Sequence, residues 1–257
     1  MNSLLKIELI KTFNSRSFRL IGGLYVLLLP LGLYVISTLS LGKGFELTQI
    51  YHFPDIWKYV GFIASYFTLI LALAIGMLNS SEYEFNTVGK QIAERLNRSQ
   101  FLLVRFGHAL GFALFCMVYL IIIVLIFGAF YSSSEEMTFI SQNSHYALLF
   151  LLQCFGYFSL AILFSTIFKS GSATVILFLL YFIIIEPLIN YVLPFDQSYL
   201  PAAVFSNLIP IPDKVTMLLQ QKDLDIANFN LYLSLLYLPV LFLINKIILD
   251  RRDLSWS

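Results

Sequence analysis

Long apolar runs alternate with short polar segments along this chain. Between Arg19 and Lys43 lie 23 residues without a Lys, Arg, Asp or Glu, and between Lys58 and Glu82 another 23. Arg105 and Glu135 bracket 29 such residues, Glu136 and Lys169 bracket 32, and Asp225 and Lys246 bracket 20. A helix needs roughly 20 apolar residues to cross the hydrocarbon core of a bilayer, so all five runs pass on length. A sixth, about residues 172–193, passes once Glu186 is admitted into the membrane. The pattern predicts an all-α membrane protein of six transmembrane helices, with the whole chain, 1–257, forming one membrane domain.

The polar segments divide the spans. In residues 2–17, Leu5, Leu9, Ile10 and Phe13 share one side of a helical projection, opposite Glu8, Lys11 and Asn14. This predicts an amphipathic interfacial helix over 1–17, or else a basic flank to the first span. Span one, about 18–40, contains Gly22, Gly23, Pro30 and Gly32, and a kink is expected near the proline. After a loop at 41–56, Trp57 and Tyr59 sit where an interfacial aromatic belt would place them. Span two ends in Ala72, Ala74 and Gly76, small residues that let another helix approach.

Residues 79–100 form the longest inner loop. In it Ser81 and Glu84 have capping-box spacing, and Asn97 or Ser99 is placed to cap the next helix. Span three, about 101–130, opens with a Gly107-x-x-x-Gly111 pair. An acidic outer loop, 131–143, precedes span four, about 144–167, and residues 168–172 make a short inner turn. Span five, about 173–193, is interrupted by Glu186-Pro187. The outer segment 194–228 carries Pro194, Pro201, Pro210 and Pro212, and Met217–Gln221 has room for one short turn. Span six, about 227–247, leads to the tail Asp250-Arg251-Arg252-Asp253.

Composition fits the same class, at 59% hydrophobic and 12% charged. Cys116 and Cys154 fall inside apolar runs and read as small buried hydrophobes. The N-terminus lacks a short apolar region with a small-residue cleavage site, so no cleavable signal is expected. The net charge of +1 matters less than its distribution. Six spans with both ends together put 12 of the 16 Lys and Arg residues on one side. That side is then cytoplasmic, with both termini and loop 79–100, and the expected location is the cell membrane, inner or cytoplasmic.

Catalytic chemistry is sparse. There is no G-x-x-x-x-G-K-[ST] phosphate loop and no H-E-x-x-H. His52, His108 and His145 lie near predicted span ends and read as satisfied or solvated side chains. No paired carboxylates recur inside the membrane, as a proton-coupled carrier or an intramembrane protease would require. The chain is not expected to be an enzyme, to bind a cofactor or metal, or to bind nucleic acid.

Loop 79–100 combines E-x-E-x-x-T (Glu82, Glu84, Thr87) with Arg98-Ser99-Gln100-Phe101-Leu102-Leu103-Val104-Arg105. With the six-span layout and the Glu-Pro of span five, this resembles the permease subunits of ABC-2-type ATP-binding-cassette transporters. Where such loops usually carry Gly-Thr this chain has Asn86-Thr87, and Asn also tolerates a left-handed turn. The resemblance implies a dimer, with itself or a related permease, that works, as an exporter, with a separate ATPase subunit holding ATP and magnesium. It also implies that Glu82, Tyr83, Glu84, Phe85, Thr87 and Arg98 couple the two subunits. Independently, a permease without a phosphate loop needs a cytoplasmic surface with charges and aromatic anchors, and residues 82–85 have both. Stand-alone secondary transport, a channel, and a membrane scaffold or immunity subunit are the competing classes.

Glu186 is the one intramembrane residue singled out. A carboxyl near mid-span costs on the order of 2.5–3.5 kcal/mol, so it must face protein or water. Either it lines a cavity or outer gate, or it caps a following helix. Acidic residues are common here in the resembled permeases, which implies an architectural role.

Overall fold

The computed structural model describes residues 10–12, 14–38, 50–84, 97–193, 199–210 and 227–251. They form a helical bundle containing six helices long and apolar enough to cross a membrane, the architecture of a multi-pass membrane protein. In chain order the spans are α1 (Arg16–Thr38), α2 (Ile56–Glu84), α3 (Arg98–Tyr131), α4 (His145–Phe168) and α5 (Gly171–Val192). A short helix, α6 (Pro201–Ser206), then precedes the last span, α7 (Ala227–Arg251). Pro30 and Pro239 are carried inside α1 and α7.

Packing ranks the spans. In α4 and α2, 67% and 56% of the span is buried within the chain, against 17% in α1, α5 and α7. The first two are the centre, and the other three present most of their apolar surface outward. Small residues make the central contacts possible. A Cβ on Gly76 would lie 3.1 Å from Thr174 Cγ2 and 3.6 Å from Ala161 Cβ, so α2 meets α4 and α5 closely where the Ala72–Gly76 stretch was expected to admit a neighbour. Gly111, by contrast, has open space where its Cβ would be, so no neighbour approaches closely at that position. Both cysteines are free and buried.

Lys11 bonds to Glu82 on α2, and Arg98 on α3 bonds to the carbonyls of Leu249 and Asp250 on α7. These bonds bring the first and last described stretches to one end of the bundle, here called the basic end. At the opposite end Trp57 Nε1 donates to Ile140 O at 2.9 Å, and His52 meets Glu136 at 2.8 Å. Hydrogen bonds from His52 and the Ser133 amide hold the partly exposed Glu136 carboxyl below its ordinary value.

α5 is one span with an irregular middle. Residues Tyr181–Ile185 form a π-helical turn in which the Glu186 N–H bonds back to Tyr181 O. A break at Glu186-Pro187 is one way to relieve the hydrogen bond that proline cannot make; this chain instead widens the turn and continues to Val192.

Candidate functional site

The basic end holds a polar cluster built by three elements. α2 does not stop at Asn79. No Gly or Pro interrupts it there, and Ser81 Oγ returns a 2.7 Å bond to Leu78 O, so the helix runs on through Glu84. Glu82, Tyr83 and Glu84 therefore belong to the last turn of a helix and not to a solvated loop, and Ser81 with Glu84 is not an N-terminal capping box.

Glu82 turns inward. Its carboxylate accepts from Arg105 Nη2 at 2.6 Å on one oxygen and from Lys11 Nζ on the other. Glu82 and Arg105 are almost wholly buried, whereas the Lys11 side chain is 44% exposed. Two cations on one carboxylate leave the cluster net positive. The Arg105 guanidinium also lies 4.2 Å from the Phe101 ring and 5.0 Å from that of Tyr83. Among the described residues its Nε and Nη1 make no hydrogen bond, and the aromatic faces supply part of its stabilisation. Beside it His108 shares a 3.0 Å hydrogen bond with Thr12, as a satisfied histidine should. Lys11, Thr12, Asn79, Glu82, Arg105 and His108 surround a cavity of about 20 Å³, enough for one water.

The other expected residues disperse around this cluster. Tyr83 packs with Phe101, Leu102 and Leu249, closing a small apolar patch over the end of α7. Glu84 accepts the Gly171 N–H at 2.7 Å, placing a carboxylate on the N-terminus of α5, where an anion is favoured. Arg98 donates at 2.7 Å to both Leu249 O and Asp250 O, satisfying carbonyls at the C-terminus of α7. Asn97 stands at the N-cap of α3, its own N–H bonded to Gln100 Oε1 at 3.3 Å. Phe85 and Thr87 lie outside the described residues, as does most of loop 79–100.

Lys11, Thr12, Arg105 and His108 were not among the coupling residues expected from the sequence. Arg105 meets Glu82 across 23 positions, whereas Lys11 and the Thr12–His108 pair reach across 71 and 96, and only the paired charges at the ends of spans two and three hinted at the contact. Of the expected interfacial helix over 1–17, residues 10–12 and 14 are helical, Ser15 is not, and residues 16 and 17 already belong to α1. It is the Lys11–Thr12 side that touches the bundle, while Ile10 is exposed.

Glu186 sits near the opposite end, 2% exposed. Its two oxygens accept from the N–H groups of Ala202, at 3.1 Å, and Ala203. Those are among the orphan donors of α6, whose first residue is Pro201. Glu186 thus caps a following helix, one of the two roles expected of it. α6 is held by shape as well. Phe205 lies against Gly156 so closely that a Cβ there would meet the ring at 2.3 Å. The Met217–Gln221 turn lies outside the described residues.

No protein-family model matches the chain, and no curated protein matches it either.

Proposed function

We propose that this chain is the membrane-spanning subunit of an ABC-2-type transporter, an exporter that works as a dimer with a separate ATP-hydrolysing subunit in the cell membrane. ATP and magnesium belong to that partner. The observation that carries the reading is how the chain is tied down on either side of residues 85–96. Before that segment, Glu82 binds the N-terminal stretch and α3, and Glu84 binds the start of α5. On the other side, Arg98 binds the end of α7. A push on the loop is therefore delivered to four other elements at once, as a subunit driven through its cytoplasmic surface requires. Within this reading Glu82, Tyr83, Glu84 and Arg98 transmit force inside the permease, while Phe85 and Thr87 remain as contacts for the ATPase. Glu186, engaged by two backbone N–H groups, fits an architectural role better than that of a proton carrier.

The test is purification of the chain from its native membranes in mild detergent, followed by ATP turnover in nanodiscs. A phosphate-loop ATPase should accompany it and be stimulated by it. Phe85→Ala with Thr87→Ala should abolish the stimulation while the chain still inserts. Purification without any phosphate-loop protein would overturn the proposal.

A further inference from the structure

A groove opens sideways between α1 and α3, enclosing about 570 Å³. Gly22 and Gly23 form one wall, Gly111 and Phe115 the other, and Leu71 of α2 the floor. A Cβ on Gly23 or Gly111 would meet nothing within 4 Å, so the groove is space that absent side chains leave. Two contacts bound it. Phe18 and Phe112 meet edge to face at 4.8 Å toward the basic end, and Tyr119 donates to Val26 O at 2.6 Å toward the middle of the bundle.

From residue 18 to residue 26 a helix rises ~12 Å at 1.5 Å per residue. That is close to the ~15 Å depth of one leaflet, half of a core about 30 Å thick. The groove thus reaches most of the way through one leaflet, and the Tyr119–Val26 contact bounds it near the middle of the bundle. At its basic end Arg19 lines the rim, and Arg16 lies one turn before it on the same face; both are exposed and make no ion pair among the described residues. An apolar slot one leaflet deep, under two exposed cations, matches a lipid with an anionic head.

We infer that this groove binds one anionic glycerophospholipid of the leaflet at the basic end, an acyl chain against Gly23 and Gly111 and the phosphate on Arg19 and Arg16. Native mass spectrometry of the purified chain, titrated with equal amounts of phosphatidylglycerol and phosphatidylcholine, tests it. One phosphatidylglycerol should be retained per chain. Arg19→Gln should reduce its preference over phosphatidylcholine by about fivefold, the contribution of one basic residue near an anionic headgroup. Gly111→Leu, which fills the groove, should abolish retention without lowering the thermal unfolding midpoint. Gly23→Leu fills it from the opposite wall and decides the matter if Gly111→Leu unfolds the chain. Retention undiminished in a folded leucine variant, absence of headgroup preference, or disulfide cross-linking between copies carrying Gly111→Cys would each overturn the assignment.

Discussion

Arg105 Nη2 stands 2.6 Å from Glu82 Oε2, with both side chains almost wholly buried. A buried ion pair adds little over a well-packed apolar pair, but breaking it by removing one partner leaves an uncompensated charge and costs about 3–5 kcal/mol. Glu82→Ala should therefore destabilise the chain by that order, because Arg105 and Lys11 would then face each other. Glu82→Leu combined with Arg105→Met should recover much of the loss. Unfolding in detergent, followed for the single and double variants, checks this. A double variant no more stable than Glu82→Ala would mean that the pair is not the unit of stabilisation.

Glu186 should respond to substitution in a fixed order. Glu186→Gln keeps one carbonyl acceptor for the N-terminus of α6, whereas Glu186→Leu removes the acceptor of the buried Ala202 N–H and of the part-buried Ala203 N–H. Each unsatisfied donor costs about 1–3 kcal/mol, so Leu should be the more damaging. Unfolding midpoints and transport at matched expression give the ranking. A Gln variant that assembles normally yet is as inactive as Leu would identify a titrating group.

Gly156 and Phe205 make a complementary pair. Gly156→Ala places a methyl inside the Phe205 ring and should cost about 1–3 kcal/mol by overpacking. Phe205→Ala in the same chain should relieve the clash, so the two changes should add to less than their sum. A double-mutant cycle on unfolding free energy measures it; strict additivity would place the ring elsewhere.

Labelling by a membrane-impermeant thiol reagent reports which side each segment faces. Cys116 and Cys154 are buried and should stay silent. Ser133→Cys, exposed beyond the end of α3, should react from outside intact cells, and Lys90→Cys should not. The reverse pattern would invert the charge-based orientation.

The spans were legible because each is a continuous run whose only requirement is apolar length. Their ends were less so. Glu82 and Glu84 read as loop charges, since polar residues after an apolar run normally mark its exit into water. They stay helical because Arg105 and the Gly171 N–H wait for them across the bundle. Such partners are fixed by tertiary approach and leave no mark in local pattern. Two features did carry a usable signal. Leu200-Pro201-Ala202-Ala203 has the proline favoured at a first helical position, although the short turn expected in this segment was at Met217–Gln221 and α6 was not expected. Glu186 was reducible to two roles because a buried carboxyl must find donors; which donors depended on a segment that folds back from 16 positions downstream.

The π-helical turn at Tyr181–Ile185 works as an indexing device. It holds one residue more than an α-helical turn would, so every later side chain in α5 is rotated by about 100° relative to an uninterrupted helix. Glu186 is the first residue after the insertion. The angular position that aims its carboxyl at α6, and sends Leu188 and Tyr191 outward, is thus set by a single surplus residue upstream. A chain lacking one of those five residues would still be apolar and long enough to span a membrane while presenting its carboxyl to lipid, so here the count of residues before Glu186 carries as much information as their identity.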